Sequence, residues 1–158
     1  MQSIQDQYSS ARGRFLEDWT LGERLVTQAR RLEARDIAAF VKLCGDDNPL
    51  HLGEQPLVPG LYAASVATGL VAGLGVFAGS TVALLHQACD FLRPLRAPCS
   101  VRVEMEVVGV EPWKDETAGV VTTRRDIIDE KGTIVARCTH RTLVRRRAIN
   151  ENEKEHRS

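Results

Sequence analysis

LYAASVATGLVAGLGV, Leu61–Val76, carries no charge and lies within the longer uncharged run Val58–Thr81. Its side chains are all apolar or small, and it follows Pro59, a residue favoured in the first helical turn. A helix that is apolar all round must be buried all round. The run is long enough to cross a membrane, and Gly69 and Gly73 stand at GxxxG spacing. Against a span, Gly and Ala dilute its hydrophobicity, and the nearest Lys or Arg residues are the distant Lys42 and Arg93. We therefore read a buried helix. The small residues Ala63, Ala64, Ala67, Gly69, Ala72 and Gly73 let a curved sheet or a thin ligand approach its backbone closely.

Outward from this helix the periodicity changes. Downstream, Val101, Val103, Met105 and Val107 alternate with Arg102, Glu104 and Glu106, the period of a half-buried strand. Residues 83–92, 118–128 and 133–146 are expected to be three more strands, the last two joined by a hairpin at Asp129–Gly132. Upstream, Leu25–Arg31 reads as a strand. Ile37, Ala38, Phe40, Val41 and Leu43 then recur at helical spacing, which predicts a short amphipathic helix over 34–43. Gly45 suits its end. A strand, a short helix, a long apolar helix and a run of antiparallel strands point to an α+β domain whose sheet wraps the long helix.

Between the two helices lies GDDNPLH, Gly45–His51. It sets a carboxylate and an imidazole across a turn stiffened by Asn48 and Pro49, so Asp46 and His51 can share one water and act as general acid and base. Asp, Asn and Pro also crowd ordinary turns for backbone reasons alone.

At 158 residues the chain fits one domain able to bury about two thirds of its unfolded surface. Lys plus Arg and Asp plus Glu number 21 each, so no net field draws it to nucleic acid or anionic lipid. Arg145–Arg147 lacks the interleaved aromatics of a nucleic-acid surface. Cys44, Cys89, Cys99 and Cys138 show no CxxC spacing and follow no secretory leader. They read as reduced core thiols of a cytoplasmic protein. His86 and Cys89 are three apart but have no second such pair, so no metal site is expected; His86 and His140 read as structural strand residues. Residues 1–14 read as a flexible leader, 15–147 as the domain, and 148–158 as a disordered charged tail.

Taken together, CGDDNPLH at Cys44–His51, the preceding DIAAFVKL and the following LVPGLYAASVATGL resemble the MaoC-like dehydratases, which include the (R)-specific enoyl-CoA hydratases of the hotdog fold. The likeness extends weakly to FLEDWTLGE upstream and FLRPLRAPCSVRVEMEVVGV downstream, covering Phe15 to about Arg146. It implies a hotdog fold, with a long central helix wrapped by a curved antiparallel sheet. It also implies that Asp46 and His51 are the catalytic pair, that Asn48 belongs to the substrate-binding turn, and that Gly60 supplies the backbone N–H facing the thioester oxygen. Thr68 matches a position where the family often has a serine near the site.

The chain departs from the family pattern in two places. Pro59 replaces the histidine usual before the helix glycine, and the segment Leu52–Pro59 is short. The resemblance implies reversible hydration of a trans-2-enoyl-CoA to the (R)-3-hydroxyacyl-CoA by a lyase. It implies no cofactor beyond the coenzyme A of the substrate, and a homodimer. The alternatives are thioester hydrolysis on the same architecture, or a non-catalytic acyl-thioester binding module.

Overall fold

A computed structural model describes residues 13–114 and 116–147. A 3₁₀ turn at Leu16–Asp18 precedes β1 (Arg24–Val26), β2 (Arg30–Leu32) and helix α1 (Ala34–Cys44). A second 3₁₀ turn, Pro49–His51, leads to helix α2 (Gly60–Ala72), and four long strands follow: β3 (Thr81–Phe91), β4 (Cys99–Pro112), β5 (Ala118–Asp129) and β6 (Ile134–Arg145). The single antiparallel sheet runs β1-β4-β5-β6-β3, with β2 also on β4. β3 therefore forms one edge.

The core follows from strand alternation. Val101, Val103, Met105 and Val107 of β4, Val121 and Ile127 of β5, and Ala136, Cys138 and Val144 of β6 cluster with Ala63, Ala64, Val66, Ala67 and Val71 of α2. Register shifts between Val107 and Gly109 and between Leu84 and His86 bend the sheet around the helix, since a bulge strengthens local twist. This is the expected α+β hotdog arrangement. α1 completes it by burying Ile37 and Val41, each worth about 1.5–3 kcal/mol relative to exposure.

Several expectations need correction. The strand expected over 25–31 is two short strands, because Thr27 turns its hydroxyl into the ladder and accepts the Val103 N–H at 2.9 Å. The long helix stops at Ala72, since Gly75 and Gly79 adopt left-handed φ of 72° and 70° in the turns that follow. It is not buried all round. Leu61, Ser65, Thr68 and Gly69 form an exposed stripe, and a side chain on Gly69 would meet open space, so Gly69 allows no close approach while Ala63, Ala64 and Ala67 are buried.

Cys89 and Cys138 stand opposite each other in the β3–β6 register with Cα atoms 4.1 Å apart, and they form a disulfide where four reduced thiols were expected. Cys99 is a buried free thiol and Cys44 an exposed one. Gly13 and Arg14, placed in the expected leader, donate backbone hydrogen bonds of 2.8 Å to Ala78 and Val76. Residues 1–12 and 148–158 lie outside the described residues. No helix among those described is long and apolar enough to cross a membrane.

Polar side chains interrupt the core face. Arg125 is buried, its Nε bonds to Thr123 Oγ1 at 3.1 Å, and its guanidinium lies 5.7 Å from the Phe77 ring. Burial pulls its pKa down to about 10, so it remains charged at neutral pH. His140, also buried, is pushed down to about 4, first by desolvation and then by the charge of Arg125. An unfolded histidine titrates near 6.5, so between pH 6.5 and 4 the unfolded chain takes up a proton that the folded chain refuses. This contribution to stability is complete above about 6.5 and is lost as the pH falls toward 4. Melting temperature is expected to drop less between pH 7 and 4 for His140→Gln than for the parent; equal pH slopes would contradict the assignment.

Candidate active site

The backbone aims the site side chains. α1 ends with Gly45 at a left-handed φ of 70°, a conformation that costs a residue without Cβ little. The Asp46 N–H then bonds back to Val41 O at 2.9 Å, which ties Asp46 to the helix end. Asp46 Oδ1 accepts the Asn48 N–H at 3.1 Å, and Asn48 Oδ1 accepts the Leu50 N–H at 3.1 Å, capping the 3₁₀ turn that carries His51. Asn48 thus holds the turn, as its neighbour Pro49 does, and is not one of the cavity-lining residues.

His51 Nδ1 lies 2.7 Å from the backbone oxygen of Leu57. A carbonyl can only accept, so Nδ1 carries a proton, and the tautomer with a lone pair places it at Nε2. Nε2 stands 3.7 Å from Asp46 Oδ2. That gap exceeds the length of a direct hydrogen bond. At that distance one water is able to touch both atoms at once. The His51 side chain is 14% exposed and that of Asp46 43%, so the pair reaches solvent mainly through the carboxylate.

His51 opens onto a cavity of about 390 Å³ whose walls include Leu57, Gly60, Phe91, Leu95 and Val135. Gly60 is the first residue of α2, and the first backbone bond of that helix runs from the Ala63 N–H to Pro59 O at 3.1 Å. The N–H groups of the preceding turn are therefore without intrahelical acceptors, and the helix dipole adds partial positive charge. An oxygen gaining negative charge in this cavity is stabilised there. The segment Leu52–Pro59 is short but anchored: Leu57 N–H donates to Leu50 O at 2.8 Å and Val58 N–H to Leu95 O at 2.9 Å.

Of the residues expected at the site, His51 and Gly60 line the cavity, and Asp46 stands 3.7 Å from His51 without lining it. Thr68 does not line it. Two turns down α2, Thr68 gives its hydroxyl to Ala64 O at 3.1 Å and faces a separate groove with Phe40, Ser65 and Gln87. Two neighbours of the pair and of the helix start escaped the sequence reading. Leu57 acts through a main-chain oxygen, which leaves no residue signature, and Phe91 was legible only as part of the strand expected over 83–92. No cluster of three or more metal-ligating side chains occurs among the described residues.

A Cβ on Gly60 would lie 2.7 Å from Cε1 of Phe91. Gly60→Ala is expected to lower stability by about 1–3 kcal/mol, as overpacking does. In the Phe91→Ala background the same change is expected to be neutral or stabilising. Urea midpoints of the four proteins measure this coupling; an equal cost in both backgrounds would contradict the contact.

No family model matches the chain. The (R)-specific enoyl-CoA hydratase of Aeromonas caviae is 32% identical to it over 105 residues, which cover 61% of this chain and 75% of that protein. Among solved structures, a monoamine oxidase regulatory protein from Archaeoglobus superposes with a TM-score of 0.80 at 25% identity, over 87% of this chain and 99% of its own. A MaoC-like dehydratase from Rhodospirillum rubrum gives 0.71 at 25% identity, over 87% of this chain and 100% of its own. Architecture and sequence agree, and the chain belongs to the MaoC-like hotdog family that contains the (R)-specific enoyl-CoA hydratases.

Proposed function

We propose that this protein adds water reversibly across the double bond of a trans-2-enoyl-CoA to give the (R)-3-hydroxyacyl-CoA. The observation that carries this reading is the 3.7 Å separation of His51 Nε2 and Asp46 Oδ2, with Nδ1 committed to Leu57 O, on the cavity that holds Gly60. Kinship with an (R)-specific enoyl-CoA hydratase supports a hydro-lyase.

In this reading Asp46 and His51 are the catalytic residues and hold one water. As its oxygen bonds to C3, the π electrons of the double bond move toward the thioester carbonyl, and the pair takes one proton from the water. The enolate oxygen is held by the Gly60 N–H. The enolate then collapses and the pair returns a proton to C2 on the same face, so the sum is one water added. Nothing is oxidised or reduced, and the coenzyme enters only as part of the substrate. Positioned acid/base groups are worth about 10²–10⁴ in rate, and an oxyanion donor about 10²–10³.

Asp46→Asn keeps an acceptor for the Asn48 N–H, so it is expected to fold with an unchanged melting temperature and bind acyl-CoA normally. Loss of the conjugated thioester absorbance is expected to slow by at least about 10²-fold. Hydration at the parental rate in this variant would remove Asp46 from the mechanism.

The reading includes a homodimer. β3 is a long edge strand, and it leaves Val82, Leu84 and Leu85 between 39% and 52% exposed. An exposed apolar edge recruits another strand, and a second β3 related by a two-fold axis supplies one. Light scattering is expected to give twice the 17.5 kDa chain mass. Leu84→Lys is expected to shift the protein toward monomer; a monomeric parent would contradict the dimer.

A further inference from the structure

The entrance of α2 carries a contact that the proposed chemistry does not use. A Cβ built on Gly60 would stand 2.7, 2.8 and 2.9 Å from Cε1, Cζ and Cδ1 of Phe91, so the ring lies directly against the Gly60 Cα. Phe91 is the last residue of β3, is 51% exposed, and shares the cavity with His51. Its place is set by the sheet: Phe91 stands opposite Ala136 of β6, and the N–H groups of Leu92 and Arg93 both donate to Val135 O, at 2.9 and 3.1 Å. The sheet thus fixes the main chain that carries the ring, and the half-exposed ring forms a wall beside the helix N-terminus.

A thioester whose carbonyl oxygen accepts the Gly60 N–H places its carbonyl carbon, and hence C2, next to that wall. C3 has to face His51 on the other side. A substituent on C2 then either displaces the ring or pulls the carbonyl away from its donor. Carbons beyond C3 meet other residues, Leu57, Leu95 and Val135, so chain length and C2 branching are read by different parts of the cavity.

Resting on the reading of this cavity as an enoyl-thioester site, we propose that Phe91 is a specificity-determining residue that limits the substrates to thioesters unbranched at C2. One misplaced methyl group in such a pocket is worth about 10–200-fold.

The test compares the parent with Phe91→Ala, and with Phe91→Leu should the alanine variant fail to fold. Turnover is measured on crotonyl-CoA, its 2-methyl analogue tigloyl-CoA and the longer 2-hexenoyl-CoA. Binding is measured by calorimetry on the saturated pair butyryl-CoA and 2-methylbutyryl-CoA. The parent is expected to favour the unbranched member of each pair by at least about 10-fold. Phe91→Ala is expected to bring both ratios close to one while leaving the crotonyl to hexenoyl ratio unchanged. A parent indifferent to the methyl group, a variant that keeps the parental ratio, or a variant that relaxes chain length and branching equally would overturn the proposal. Should the parent hydrate none of the enoyl thioesters while the binding ratio collapses as expected, the hydratase reading fails and the C2 filter stands.

Discussion

The structure depends on one packing constraint: a helix of small residues pressed into a curved sheet. Ala63, Ala64, Val66, Ala67 and Val71 of α2 meet the inward residues of β4, β5 and β6 in a single core. Alanines bring the helix axis close to the sheet, and a close-packed interior resists any sliding of one past the other. That fit determines where α2 begins. The unpaired N–H groups of its first turn consequently stand at one end of the sheet, beside the Phe91–Leu95 segment and the start of β6.

Asp46 and His51 are oriented by bonds between their turn's side chains and nearby main-chain groups. Gly45 ends α1 and returns the chain so that Asp46 N–H reaches Val41 O; Asn48 caps the next turn; Leu57 O takes the proton of His51 Nδ1. Each of these contacts is short-range, and all lie between α1 and α2. Two helices pinned to one sheet by Ile37, Val41 and the alanines therefore bring an imidazole and a helix N-terminus to one cavity, with a carboxylate 3.7 Å from the imidazole. The hydroxyl-bearing stripe of α2, Ser65 and Thr68, points elsewhere, and both hydroxyls are spent on carbonyls of their own helix.

Much of this was legible in the residues. The spacing of Ile37 and Val41 marked α1, Gly45 marked its end, and the alternation of Val101, Val103, Met105 and Val107 marked β4 and its inner face. What stayed hidden has physical causes. The end of α2 was obscured because residues 73–80 have the same apolar, small composition as the helix, and only their glycine density distinguishes a turn. The break after Val26 depends on the Thr27 hydroxyl meeting Val103, a contact across the chain that no local pattern encodes. The pairing of Cys89 with Cys138 requires the β3–β6 register. Thr68 lies eight residues from Gly60, about 12 Å along a helix at 1.5 Å per residue, so a motif match could not place it at the site.

The central claim is that water held by Asp46 and His51 attacks C3 of an enoyl thioester whose oxygen rests on the Gly60 N–H. Incubation of crotonyl-CoA with the protein in ¹⁸O-labelled water tests it most directly. The account predicts (R)-3-hydroxybutyryl-CoA with the label on C3 and the thioester intact. Label in a free carboxylate together with released coenzyme A thiol would contradict it, because the water would then have attacked the carbonyl carbon.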